Sequence, residues 1–337
     1  MERMKHVSEI GLMKKMLREA KASVVTPQRQ KLLDTAAIIR LDPANADRAF
    51  MARYLVQCTL PHSDPGKVPL WKRRNGNLTL SIVPGTNRDT GESFGYPYGS
   101  IPRLLLFWIV TEAVRLKSRR LELGSSLTEF IRAVGLDPNT GGGKRGDATR
   151  LRQQMVRLFR AIISFQVTVD DPHRHGQSWL DMQVAPKGEL WWDPHHPEQE
   201  PLWGSWIELG EDFYKAIVSS TVPMDMRALR ALKRSPLALD LYAWASYKAW
   251  VVNSKNTPQF IPWRGLVEQL GADYDPKRID HFKEKVKATF RKVSAVFPGG
   301  LYLKWDRDGL TFLPGTKPAV GPRPQPKKAV PNYDSAK

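Results

Sequence analysis

The sequence predicts an α+β, helix-rich fold: two tandem winged-helix domains, with a basic N-terminal lead-in and a disordered C-terminal tail. Three observations predict it. The order helix, strand, helix, helix, hairpin occurs twice, and residues at matching places of the two units agree. Lys plus Arg also outnumber Asp plus Glu by 52 to 34, a formal charge of +18 that is not confined to the tail. The division this predicts is a lead-in over 1–48, a first domain over 49–197, a second over 198–314 and a tail over 315–337.

With 337 residues, 41 % of them hydrophobic, the chain can build two cores of ordinary size. An excess of positive charge this large, with a pI near 10.0, repels itself in the compact state. It is most easily retained when the partner is a polyanion, which points to nucleic acid. The longest apolar run, Leu104 to Val110, is far short of the ~20 residues a bilayer crossing needs. Residues 1–6 lead into a polar stretch with no signal-peptide core. The single cysteine, Cys58, makes neither an internal disulfide nor a metal site by itself. The expectation is a cytoplasmic protein with no membrane partner and no cofactor.

In the lead-in, Ile10, Met13, Leu17, Leu33, Ile38 and Ile39 recur at helical spacing, interrupted at Pro27. A hairpin follows over 68–82. Leu78, Leu80 and Ile82 alternate with Thr79 and Ser81, and Asn75-Gly76 suits the positive φ angles of a type I′ turn. Ser100 is placed to cap a helix that runs to about Lys117, with Pro102 in its first turn. A short strand over 120–123 ends at Gly124. Ser126 and Glu129 form a capping box for a second helix, which Gly135 stops. The glycine-rich stretch 139–143 leads to a third helix over 147–162. Strands at 164–169 and 179–184, joined by a polar loop, close the first unit as its wing.

The same order returns. Ser235-Pro236 opens a helix through Leu239, Tyr242 and Trp244, and a strand follows at 259–261. A short helix over 263–270 stops at Gly271, a long one runs over 276–295, and a hairpin turning at Asp306–Gly309 ends the unit. Residues 198–205 link the units, and the tail from Pro314 is rich in Pro and Lys. Ser100-Ile101-Pro102 parallels Ser235-Pro236, and Leu106-Phe107 parallels Leu241-Tyr242. LTEFIRAVGLD at 127–137 parallels GLVEQLGAD at 265–273, and Phe159-Arg160 falls over Phe290-Arg291. Several matches in one order argue for a duplicated module.

In such a unit the last of the three helices enters the major groove, which is about 12 Å wide. On the first such helix Leu151, Met155, Leu158, Phe159 and Ile162 share one face. The opposite stripe is Arg150, Gln153, Arg157 and Arg160, with Thr149 beside it. Arginine forks suit guanine or phosphate, and glutamine suits adenine. Lys144 and Arg145, just before the helix, are placed to reach phosphates. On the second, Ile279, Phe282, Val286, Phe290 and Val293 form the buried stripe. Lys277, Arg278, Lys283, Lys285, Lys287, Arg291 and Lys292 crowd the rest, and His281, Glu284, Lys285 and Ala288 lie most nearly opposite the core. Charges that merely solvate an amphipathic helix would explain one such stripe. Two in the same slot of a repeat favour DNA. The wings add Arg174, between His173 and His175, and Arg307, which Asp306 and Asp308 flank.

With these segments laid out, the chain resembles the plasmid-encoded RepA replication initiators. The resemblance rests on Tyr98-Gly99-Ser100-Ile101-Pro102-Arg103-Leu104-Leu105, Gly124-Ser125-Ser126-Leu127 with Phe130, and Gly142-Gly143-Lys144-Arg145-Gly146. It continues through Arg150-Leu151-Arg152-Gln153-Gln154-Met155, Trp203-Gly204-Ser205, Val222-Pro223-Met224-Asp225 and Ser235-Pro236-Leu237-Ala238-Leu239-Asp240-Leu241-Tyr242. These segments span about 50–313 in order. The resemblance implies a protein that binds repeated duplex sites (iterons) at a plasmid origin, helps open them and recruits a host initiator or helicase, with a homodimer as one assembly state. It also implies that Lys144 and Arg145 are a shared backbone contact.

Two rivals remain beside this reading. A plasmid-borne repressor would use the same DNA face; tandem direct repeats with an AT-rich block beside the gene favour an initiator, a single palindrome a repressor. A rolling-circle nickase needs a His-hydrophobe-His metal site and an attacking tyrosine. His173-Arg174-His175 and Tyr274-Asp275-Pro276-Lys277 mimic these, but an arginine between the ligands opposes a divalent metal. His195-His196 has no third ligand at helical spacing, and Gly141-Gly142-Gly143-Lys144 lacks the spacing of a Walker motif. No catalytic, cofactor or metal residue is therefore expected, and the 11 tryptophans are read chiefly as packing.

Overall fold

The computed structural model describes residues 26–140, 146–171, 174–191, 204–271 and 278–321. Helix α1 (Pro27–Leu41) starts where Thr26 Oγ1 accepts the Arg29 N–H and proline occupies the first turn. Strand β1 (Arg48–Ala52) runs into the short α2 (Arg53–Gln57), and β2 (Trp71–Asn75) pairs with β3 (Leu78–Val83). The turn between them is Gly76-Asn77, one residue later than expected. Only Gly76 has positive φ, as a type II′ turn requires of its first position.

The first unit contains α3 (Ser100–Leu116), β4 (Arg120–Glu122), α4 (Leu127–Ala133) and α5 (Asp147–Phe159). Gly99, not Ser100, occupies the N-cap of α3, with φ 81°. Ser126 caps α4 by accepting the Glu129 N–H, while the Glu129 carboxylate turns back to Ser125. Four strands follow: β5 (Ile162–Asp171), β6 (Arg174–Gln183), β7 (Lys187–Glu189) and β8 (Trp206–Glu208). Then come α6 (Glu211–Ser219), β9 (Thr221–Asp225) and α7 (Met226–Leu232), none of which the sequence reading placed.

The second unit runs α8 (Pro236–Lys255), β10 (Gln259–Pro262), α9 (Trp263–Leu270), α10 (Ile279–Ala295), β11 (Leu303–Trp305) and β12 (Gly309–Phe312). Ser235 Oγ caps α8 through the Ala238 N–H. The sheet order is β10-β12-β11, with Ile261 opposite Leu310 and Leu303 opposite Phe312. The strand before α9 thus pairs with the second strand of the hairpin, which is the winged-helix arrangement. Trp244 of α8 meets Phe290 of α10 and Phe312 of β12 edge-on, at 6.1 and 6.0 Å between ring centres.

The first unit reaches the same arrangement with different strands. The hairpin expected as its wing is present as β5 and β6, but it joins a four-stranded sheet, β2-β3-β5-β6. Cross-strand apolar pairs decide this: Leu80 faces Phe165 and Ile82 faces Ile163, all buried. The partner of β4 is instead β8, which also pairs with β7, so that Leu121 faces Ile207. Strand β1 pairs with β9 from Arg48–Asp225 to Ala52–Thr221. Backbone pairing therefore crosses residue 198 in two sheets, and one continuous apolar core extends from Ala36 to Ala319.

Candidate nucleic-acid interface

Helix α5 is anchored at its start by Thr140, whose Oγ1 accepts the Asp147 N–H at 2.9 Å, and by the Asp137 N–H, which donates to Asp147 Oδ2 at 3.3 Å. Leu151, Met155, Leu158 and Phe159 point into the core as the spacing requires. Gln154 is buried among them because its side-chain oxygen accepts the Tyr98 N–H at 3.0 Å. Ile162, expected on this helix, is the first residue of β5.

Arg150 and Gln153 are exposed, Arg150 standing 3.7 Å from Asp147, and Thr149 is half-buried. Arg160 is exposed at the C-cap, its guanidinium 6.0 Å from the Phe94 ring centre. Arg157 departs from the expected stripe. Its side chain is only 22 % exposed; Nη1 donates to Asp64 Oδ2 and to the Tyr96 carbonyl, each at 3.2 Å, and the guanidinium lies over the Tyr98 ring at 5.1 Å. The reason is the segment 94–98, which lies against the C-terminal half of α5. At Gly95, φ 81°, a Cβ would come within 3.2 Å of that guanidinium. The accessible face of α5 is thereby confined largely to its N-terminal half. Lys144 and Arg145, which precede that half, lie outside the described residues.

Helix α10 buries Phe282, Val286, Thr289, Phe290 and Val293. Each large apolar group among them stabilises by roughly 1.5–3 kcal/mol relative to exposure. Arg278, His281, Lys285 and Arg291 are all exposed, together with Glu284, Ala288 and Lys292. Lys283 pairs with Asp280 at 3.1 Å and Lys287 with Glu284 at 3.3 Å, so the acids neutralise one flank. Lys277 lies outside the described residues.

Arg307 is exposed in the turn between β11 and β12. That turn is tied to α9: the Asp308 and Asp306 carbonyls accept the backbone N–H and the ring N–H of Trp263, at 3.0 and 3.3 Å. Trp263 also stacks on Trp305 with 6.0 Å between ring centres. Arg174 is the first residue of β6, on a hairpin that does not pair with β4; its side chain and His173 lie outside the described part, as do Tyr274 and Lys277.

Two basic clefts escaped the sequence reading. One, of about 500 Å3, is lined by Lys31, Arg132, Arg230 and Lys233. Lys233 donates to the Gly135 carbonyl at 2.9 Å, and burial, with Lys31 adding, lowers its pKa. The second, about 600 Å3, is lined by Arg40, Lys287 and Arg291 above Phe290, Leu303 and Trp305. Arg132, on α4 just before α5, and the Lys233-Arg234 pair were visible signals. Arg40 was not, because it meets the Ala295 carbonyl 255 residues away, at 3.4 Å. Among the described residues no cluster of three metal-ligating side chains occurs, and no helix is long and apolar enough to cross a membrane.

Comparison with solved structures finds domains 2 and 3 of RctB, as a selenomethionine derivative, at 11 % identity and a TM-score of 0.45, covering 86 % of this chain and 98 % of that one. A second structure of RctB domains 2–3 matches at 9 % identity and a TM-score of 0.42, over 75 % and 93 % of the two chains. No curated protein matches the sequence. The family model of the plasmid-encoded RepA protein matches residues 96–264, which take in α3 to α5, the β5–β6 hairpin and the start of the second unit. With half of its length matched by that model, the chain belongs to the family of plasmid-encoded RepA replication initiators.

Proposed function

We propose that this protein starts replication of its plasmid by binding direct repeats in duplex origin DNA, and that it then brings host replication proteins to the opened site. The first unit reads one major groove with the N-terminal half of α5, through Arg150 and Gln153, with Thr149, Lys144 and Arg145 beside them on the backbone. The second reads the next groove with α10, through His281 and Lys285, while Lys277, Arg278 and Arg291 hold phosphates. Arg160 and the Arg307 and Arg174 turns flank these contacts.

One observation carries the reading: two helices in the same slot of a repeated unit each bury an apolar side and expose a basic and polar one. A solvated amphipathic helix needs no such repetition. The test is a footprint of the purified protein on the DNA beside its gene, at several salt concentrations. Two protected segments about one turn, or 10–10.5 bp, apart within each repeat are expected. Protection confined to a single turn would contradict the reading.

A further inference from the structure

The first helices of the two units, α3 and α8, meet at one buried ion pair. Arg103 of α3 donates from Nε to Asp240 Oδ1 at 2.7 Å and from Nη2 to Oδ2 at 2.8 Å, and Asp240 belongs to α8. Its other donors reach the carbonyls of Leu60 (2.6 Å), Pro61 (3.0 Å) and Gly99 (2.7 Å), so all five N–H groups of the fork are used. His62 Nε2 lies 2.7 Å from Asp240 Oδ2. Arg103 is 3 % exposed and Asp240 5 %.

A second pin lies between the β2–β3 hairpin and α9. Arg73 Nη1 donates to the Gln269 carbonyl at 3.1 Å, and the Gln269 amide donates to the Asn75 side chain. Gln269 Oε1 in turn accepts the Trp244 ring N–H at 3.1 Å.

An apolar contact between α3 and α8 would bury the same surface but would be non-directional, open to sliding and rotation. A buried ion pair seldom stabilises more than an apolar pair of equal volume, because desolvation offsets most of the attraction. What a two-pronged fork on a carboxylate does supply is one allowed geometry. Helix α3 packs against α5, and α8 packs against α10, so whatever orients α3 on α8 also orients one reading helix relative to the other.

We propose that Arg103 and Asp240 are positioning residues for DNA recognition, which set the angle and distance between α5 and α10 and hence the single spacing of the two groove sites that the protein accepts. This rests on the two-unit reading given under the proposed function.

The test uses the full chain and a duplex carrying one footprinted repeat, alongside duplexes with one, two or five base pairs inserted between its two protected segments. The wild-type protein is expected to lose at least roughly 30-fold in affinity on a one-base-pair insertion, the scale of one mismatched base pair and a lower bound for misaligning one unit. The Arg103→Met/Asp240→Leu double variant, whose fold is checked by circular dichroism and melting, is expected to lose roughly fivefold or less. If that variant does not fold, Asp240→Asn, which keeps the shape of the side chain, is measured by the same ratio and should fall between the two. A folded variant that discriminates among spacings as sharply as the wild type overturns the pin and leaves the two-unit reading intact. A wild-type protein indifferent to every insertion overturns the two-unit reading, and the pin with it.

Discussion

Arg150 and Arg157 stand two turns apart on α5 and answer to different partners. Arg150 faces solvent and, among the described residues, stands 3.7 Å from Asp147, whereas Arg157 is committed to Asp64, the Tyr96 carbonyl and the Tyr98 ring. Arg150→Ala should cost about 1–3 kcal/mol on the specific site and change base preference in gel shifts. Arg157→Ala should instead lower the melting temperature, by the equivalent of about 1 kcal/mol, with the ratio of specific to nonspecific affinity little changed. Helical periodicity showed that both arginines lie off the apolar face. It could not show that residues 94–98, some sixty positions earlier, cover one of them. Arg103 and Asp240 were likewise visible as members of two motifs, but not as each other's partner.

That buried cluster also fixes a pH dependence. Burial, with the Arg103 charge adding, lowers the His62 pKa against the opposing bond from Asp240. Burial would raise the Asp240 carboxyl, but Arg103 and the hydrogen bonds outweigh it and hold it well below the usual range. Both groups are therefore depressed in the folded state, so the unfolded chain takes up each proton first. Stability from His62 is complete above its ordinary value of about 6.5 and falls as acidification carries it toward the lower folded value. Asp240 adds a second loss that begins below about 4. Melting temperatures measured from pH 8 to pH 3 should fall in these two stages, and His62→Gln should remove the first while sparing the second.

At the scale of elements, helices proved far more legible than strand partners. Caps at Ser126 and Ser235, the stops at Gly135 and Gly271 and the apolar stripes of α5 and α10 are local signals. Ser126→Ala should cost α4 about 1 kcal/mol, seen as a lower melting temperature, because it leaves the Glu129 N–H without its acceptor. The β5–β6 hairpin was equally visible as two alternating runs. Its partner was not, because the choice between β4 and β3 depends on which apolar faces meet across eighty residues of chain. Strand β4 offers one buried side chain, Leu121, whereas β3 offers three, Leu78, Leu80 and Ile82. The longer apolar face takes the hairpin.

For the whole molecule, the +18 charge was the most informative quantity in the sequence. If the two units together engage about 6–10 phosphates, affinity should fall about 10³- to 10⁵-fold between 50 and 200 mM salt. Replacing Lys144 and Arg145 together by alanine should weaken binding on every duplex and reduce the magnitude of the salt slope by about 2, as measured by titration over that salt range. The repeat of the module was legible from matched segments; the strands exchanged between its copies were not.

Those exchanged strands have a practical consequence for taking the protein apart. A fragment ending at residue 197 would lose β8 and β9, leaving β4 and β1 with raw edges. The complementary piece would expose the apolar faces of these strands and of α6, which packs on β6, α3 and β1. The two units are thus not detachable cassettes. A chain nicked between residues 191 and 204 would remain a single particle, held by its knitted strands, and grafting one module onto another protein would require carrying strands from the other.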